Sequence, residues 1–216
     1  MKERKKGLFC VIEGMDGAGK STLLATFSNL IQKNEFDEPK IKSAILQINQ
    51  KRVIFLREPT DLPTGKKIRQ RLSELPPPTT QEWIRLFRED RQANLSQFVE
   101  PGLAEDKIVI QDRYFYSTAA YQGAYAEEGA LSILKEFDWC LKPDLLIFLK
   151  VDEETAFKRM DSRAKTKETF EERDQWRKIN EAYSRILPND TIFLDASWQP
   201  EELAKELIRK IYEKLQ

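Results

Sequence analysis

The sequence predicts an α/β fold, a mostly parallel sheet of about five strands with helices on both faces. Three observations predict it. Apolar, strand-like runs recur at 8–12, 53–56, 108–111, 145–151 and 191–194. The segments between them carry helical spacing, so strand and helix alternate along the chain. The first run empties into a glycine-rich turn, residues 12–24 reading IEGMDGAGKSTLL. Such a turn joins a parallel strand to the helix that follows it.

The first strand, Phe9 to Ile12, enters that turn, and Gly14, Gly19, Lys20 and Ser21 fit G-x-x-x-x-G-K-[ST], the phosphate-binding loop. A chain of this length meets the pattern by chance roughly one time in a hundred. The strand before it and the helix after it are the context the pattern requires. A polyphosphate needs several backbone N–H groups turned inward, which only glycines allow so tightly. The fold class is therefore that of a P-loop NTPase-type sheet. Gly14, Met15, Asp16, Gly17, Ala18, Gly19, Lys20, Ser21 and Thr22 form the expected cradle for a nucleotide's phosphates. The helix dipole and Lys20 supply positive charge, and the Ser21 hydroxyl suits Mg²⁺.

Residues 34–51 (NEFDEPKIKSAILQINQK) read as an insertion, with Ile41, Ile45 and Ile48 suggesting a short helix and no chemistry visible. If it is a surface insertion, its deletion should leave activity near wild type. The second strand ends in Arg57, Glu58 and Pro59, at the carboxyl edge where open sheets bind ligands. Pro76, Pro77 and Pro78 stiffen a connection but mark no domain boundary, because 79–100 could not fold alone. The buried strand 108–111 ends in Asp112, where a Mg²⁺-supporting carboxylate belongs. Arg113 follows, and Tyr114, Ser117, Thr118 and Tyr121 then share one helical face that mixes rings with hydroxyls. The last helix starts at Pro200 and buries Leu203, Leu207, Ile211 and Leu215. The whole reads as one domain, 1–216.

Composition narrows the chemistry. Lys and Arg number 36 against 36 Asp and Glu, so no net field recruits a nucleic acid polymer or a membrane. Apolar runs fall short of the roughly 18 residues that span a bilayer. The basic start, MKERKKG, leads into a short strand rather than a signal-peptide core. Cys10 and Cys140 read as small core residues. The chain has no histidine, which excludes Ser-His-Asp, Cys-His and His-metal chemistry. Lysine, arginine, carboxylates and a metal brought with the substrate remain.

EGMDGAGKST, REP, LFREDR, DRYFYSTAAYQG, PDLLIFLKVDEETAFKR and LDAS occur in the order found in thymidylate kinases, and the chain resembles that family from Phe9 to the last helix. DRY followed by S-x-x-AYQ is the most family-specific element. The resemblance implies transfer of the γ-phosphoryl of ATP to dTMP with Mg²⁺, in a cytoplasmic homodimer joined through helices beside the DRY segment. It puts Lys20 on the ATP phosphates, Ser21 on Mg²⁺, and Asp16 on the sugar 3′-hydroxyl and the magnesium waters. Arg57 and Arg113 would grip the acceptor phosphate, as two guanidinium forks suit a dianion. Phe87 and Arg91 would stack on thymine and donate to its O4. Thr118 would meet the base N3 edge, and Tyr121 would lie beside the sugar C2′. Arg159 would pack on adenine, with Asp195, Ala196 and Ser197 behind that base.

The chain departs from the family pattern in three places. Thr60, Asp61, Leu62, Pro63, Thr64 and Gly65 replace the usual continuation of REP. Residues 34–51 have no counterpart, and Arg88 and Glu89 read as an outward-facing pair inside LFREDR. Some members carry a catalytic arginine directly after the loop aspartate, where this chain has Gly17. Others carry it in the lid, which here is 160–170, MDSRAKTKETF, and offers Arg163, Lys165 and Lys167. Arg163 is the candidate, because a planar fork can bridge two phosphate oxygens. Rival readings are another nucleoside monophosphate kinase, a deoxynucleoside kinase, and a GTP-dependent switch. The paired arginines argue against the second, and the absence of N-K-x-D against the third.

Overall fold

A computed structural model describes residues 7–33, 38–161 and 170–216. Strands β1 (Leu8–Gly14), β2 (Val53–Arg57), β3 (Ile108–Asp112), β4 (Leu145–Lys150) and β5 (Ile192–Asp195) form one all-parallel sheet. Each falls within a residue or two of a predicted run. Their spatial order is β2-β3-β1-β4-β5. The order turns at β1, so a crevice opens beyond its carboxyl end.

Alternation along the strands divides the core in two. Cys10, Ile12, Ile108, Ile110, Ile147 and Leu149 face helices α1 (Lys20–Gln32), α2 (Pro39–Lys51) and α10 (Pro200–Leu215). Phe9, Val11, Val109, Leu146 and Phe148 face the other layer. That layer holds α4 (Thr80–Asn94), α5 (Glu100–Ala104), α6 (Phe115–Gly123), α7 (Gly129–Lys135), α8 (Glu153–Asp161) and α9 (Phe170–Ile186). The short α3 (Pro63–Arg71) packs on α4 through Ile68, Trp83 and Leu86. Thr79 and Glu82 close a capping box at the start of α4, satisfying two donors that the first turn leaves open. A single π turn, Leu95–Val99, joins α4 to α5. No helix among the described residues is long and apolar enough to cross a membrane. Both cysteines are buried and unpaired in the core.

The structure corrects the reading of 34–51 as a dispensable surface insertion. Its described part is α2, whose Ile41, Ala44, Ile45 and Ile48 are buried against α10 and α1. Three isoleucines at roughly 1.5–3 kcal/mol each are a large share of a typical stability of 5–15 kcal/mol. Ile48→Ala alone should therefore destabilise the protein by about 2–5 kcal/mol. Urea unfolding followed by circular dichroism reads this directly, and an unchanged midpoint would return the helix to the surface.

Candidate active site

The loop after β1 turns through two left-handed glycines, Gly17 (φ 82°) and Gly19 (φ 91°). Gly17 is also confined by contact. A Cβ there would lie 2.5 Å from the Ala156 carbonyl oxygen at α8, so this position cannot carry a longer residue without moving a helix. Lys20 opens α1 and is buried, its Nζ donating to the carbonyls of Gly14 (2.9 Å) and Met15 (3.1 Å). Burial, with repulsion from Arg113, pushes its pKa down to about 8. A phosphate entering the loop would supply the counter-charge that these carbonyls only partly replace.

Asp16, Arg113 and Tyr121 close a triangle above the loop. Arg113 Nη2 donates to Asp16 Oδ1 (2.6 Å) and to the Tyr121 hydroxyl (3.2 Å), and that hydroxyl donates to Asp16 Oδ2 (2.8 Å). Burial opposes charge on Asp16, but Arg113 and Lys20 outweigh it and hold the carboxyl below its ordinary value. Arg113 reaches this position from a left-handed residue (φ 63°) at the end of β3. The helix α6 that presents Tyr121 starts on a buried carboxylate. Glu13 accepts from the backbone N–H of Tyr114 (2.8 Å) and Ser117 (3.1 Å), from the Ser117 hydroxyl (2.5 Å) and from Tyr183 of α9 (3.0 Å). Burial still pushes the Glu13 pKa above its ordinary value.

Beyond the triangle lies a cavity of about 240 Å³ lined by Asp16, Glu58, Phe87, Arg91, Arg113, Thr118 and Tyr121, among others. Arg91 is fully buried, stacked over Tyr114 and Phe137, and bonded through Nε (2.9 Å) and Nη2 (2.5 Å) to Glu58. Its Nη2 also donates to Thr118 (3.1 Å). Its Nη1 is a buried donor with no hydrogen-bond partner among the described residues, which asks for an explanation. Phe87 sits beside it on α4, tilted against Trp83 with ring centroids 6.0 Å apart.

Arg57 is not part of that cavity. It lines a neighbouring one with Ser21 and Asp112, is largely exposed, and pairs with Asp61 (2.8 Å) on the altered loop. The loop is itself anchored. Buried Asp90 accepts from the Thr60 N–H (2.8 Å), the Thr60 hydroxyl (2.5 Å) and the Thr64 hydroxyl (2.7 Å). Asp112 Oδ1 is buried with no hydrogen-bond partner among the described residues, and burial raises its pKa against the pull of Lys20 and Arg113. Asp112 and Ser21 line one cavity, and a carboxylate with a hydroxyl is the oxygen donor type that suits a small hard cation. On the far side, Arg159 of α8 donates through Nη2 to the Ala196 carbonyl (2.8 Å) and lies near the carbonyls of Gly17 and Ala18. Arg163, Lys165 and Lys167 lie outside the described residues.

The family model described as Thymidylate kinase matches residues 12–208. The chain belongs to the thymidylate kinase family. A thymidylate kinase of Leptospira interrogans is 36% identical over 207 residues, covering 95% of this chain and 94% of that protein. A probable thymidylate kinase of Archaeoglobus fulgidus is 32% identical, with 95% of each covered. One from Mesoplasma florum is 32% identical, with 97% of each covered. The chain is an ATP:dTMP phosphotransferase, a transferase of dTDP biosynthesis.

In this kinase the structure adds polar residues to which the sequence reading assigned no role: Glu13, Glu58, Asp90, Asn94, Gln111 and Tyr183, all buried. Glu58 and Asp90 stand inside the motifs REP and LFREDR, and Gln111 interrupts an otherwise apolar strand, which was the available signal. Asn94 and Tyr183 carry no such mark. Arg88 and Glu89 both reach the surface, each bonded to another residue. Arg88 binds Glu136 (2.8 Å) and Glu89 binds Arg85 (3.0 Å).

Proposed function

We propose that the kinase works by holding two nucleotides end to end across the carboxyl edge of its sheet, with these residues in these roles. The loop Gly14–Thr22 and Lys20 take the ATP phosphates, while Arg159 and Ala196 take the adenine side. Phe87, Arg91 and Thr118 take thymine, and Asp16 and Tyr121 take the deoxyribose. Arg113 and Arg57 take the acceptor phosphate, with Arg57 exchanging Asp61 for it. Mg²⁺ would be held by Ser21 with Asp112 in support, where it would draw charge from the phosphate oxygens during transfer.

The observation that carries this reading is the orphaned Nη1 of Arg91. Arg91 lines a cavity together with Phe87 and the Asp16–Arg113–Tyr121 triangle. Phosphoryl transfer asks for positioning and charge neutralisation rather than a covalent partner, so a chain without histidine suffices. Family membership supports a homodimer and a cytoplasmic location.

A coupled ADP-release assay across dTMP, dUMP, dCMP, dGMP and thymidine tests the assignment. dTMP should give the highest kcat/KM, and thymidine, lacking the phosphate for Arg57 and Arg113, should be turned over negligibly. Thymidine used as well as dTMP would remove the phosphate role of both arginines. A preference for dCMP or dGMP would remove the base role of Arg91.

A further inference from the structure

Strand β3 reads Ile108, Val109, Ile110, Gln111, Asp112, and Gln111 is completely buried. An amide inside a parallel sheet lowers stability unless both of its ends are bonded, so its presence asks for a reason. Its Nε2 donates to the carbonyl of Arg113 (2.9 Å) and, at longer range, to that of Asp112 (3.3 Å). Its Oε1 accepts from Asn94 Nδ2 (3.0 Å), which also donates to Glu58 Oε1 (3.2 Å). Acceptors on one side and a donor on the other leave a single orientation for the amide.

The backbone it holds is unusual. Arg113 is a non-glycine residue at φ 63°, a conformation that persists only where the surroundings over-determine it. Its N–H donates to the Ile12 carbonyl of β1 (3.0 Å), so β1 holds one end of the residue and Gln111 the other. The left-handed turn carries the side chain back over the end of β1, where the guanidinium meets Asp16, Tyr121 and Ser117.

We propose that Gln111 is a positioning residue for phosphoryl transfer. It locks the Arg113 peptide in its left-handed turn and so aims the guanidinium at the acceptor phosphate. Asn94 fixes the Gln111 amide and ties it to the Glu58–Arg91 pair at the base end. One polar chain thus connects the residue that reads the base with the residue that holds the phosphate. The proposal rests on the assignment of Arg113 to that phosphate.

A double-mutant cycle tests it. Gln111→Met keeps the volume and removes the donor. It should lower kcat/KM for dTMP about tenfold while leaving KM for ATP unchanged, the scale of a lost buried hydrogen bond acting through one residue. In an Arg113→Ala background the same change should cost nothing further, because no guanidinium remains to be aimed. Equal loss in both backgrounds, or equal loss for ATP and dTMP, would make Gln111 merely structural and overturn the proposal. Near-wild-type activity of Arg113→Ala alone would instead remove the phosphate assignment, and the proposal with it. Circular dichroism and Tm check folding. If Gln111→Met does not fold, the same cycle with Asn94→Ala decides: the loss should be confined to dTMP and smaller in the Arg113→Ala background, the remainder acting through Glu58, and an equal loss in both backgrounds would overturn the proposal.

Discussion

Lys20→Met should turn over at well under a tenth of the wild-type rate, with little loss of thermal stability. Among the described residues the Nζ of Lys20 hydrogen-bonds to the carbonyls of Gly14 and Met15, both part of the loop that a nucleotide would occupy. A charge-stabilising contact of this kind contributes roughly 3–4 kcal/mol to the transition state, whereas a tenfold loss corresponds to about 1.4 kcal/mol. The folded protein loses little from the change. Burial of the ammonium outweighs its attraction to Asp112, Asp16 and Glu13, and methionine fills the same space without charge. Steady-state rates and a melting curve read the two effects separately. More than about a tenth of wild-type activity would displace Lys20 from the phosphates. A large fall in Tm would make it a structural residue.

Arg163→Ala should lower kcat and kcat/KM together, by at least about 30-fold, with KM for ATP nearly unchanged. The argument for a lid arginine is strengthened by the loop itself. Gly17 is left-handed and lies so close to the Ala156 carbonyl that no side chain fits there, so the loop cannot supply this charge. Removing Lys165 and Lys167 as well should deepen the loss, since neighbouring cations cover part of it. An unaltered kcat in the single variant would place the catalytic charge elsewhere. Arg159 is the next residue to test, because it already reaches the loop carbonyls.

The phosphate loop was legible because its chemistry is local. Consecutive backbone N–H groups, two glycines, a lysine and a hydroxyl lie within a few residues, so spacing alone describes the cradle. The strands were legible for a similar reason, since a sheet covered on both faces requires near-continuous apolar runs. The same local logic misread α2. Its isoleucine spacing showed a helix with one apolar face, but whether that face meets solvent or core depends on α10, about 160 residues away. Nor does spacing show the present partners of the two arginines that the family resemblance assigns to the acceptor phosphate: Arg57 bonds Asp61, and Arg113 bonds Asp16 and Tyr121.

By itself, then, the sequence determined the alternation of strand and helix, the nucleotide loop, the exclusion of histidine chemistry, and the motif order that marks a thymidylate kinase. Tertiary structure alone decided which carboxylate answers each buried charge. Glu58 and Arg91 are 33 residues apart, Glu13 and Tyr183 are 170 apart, and Gln111 meets Asn94 across the gap between sheet and helix. A buried charge or amide is tolerated only where a partner completes it, and such partners are recruited from whichever element the fold brings alongside. Spacing along the chain carries no record of that choice, because it is made by the packing of helices on both faces of the sheet.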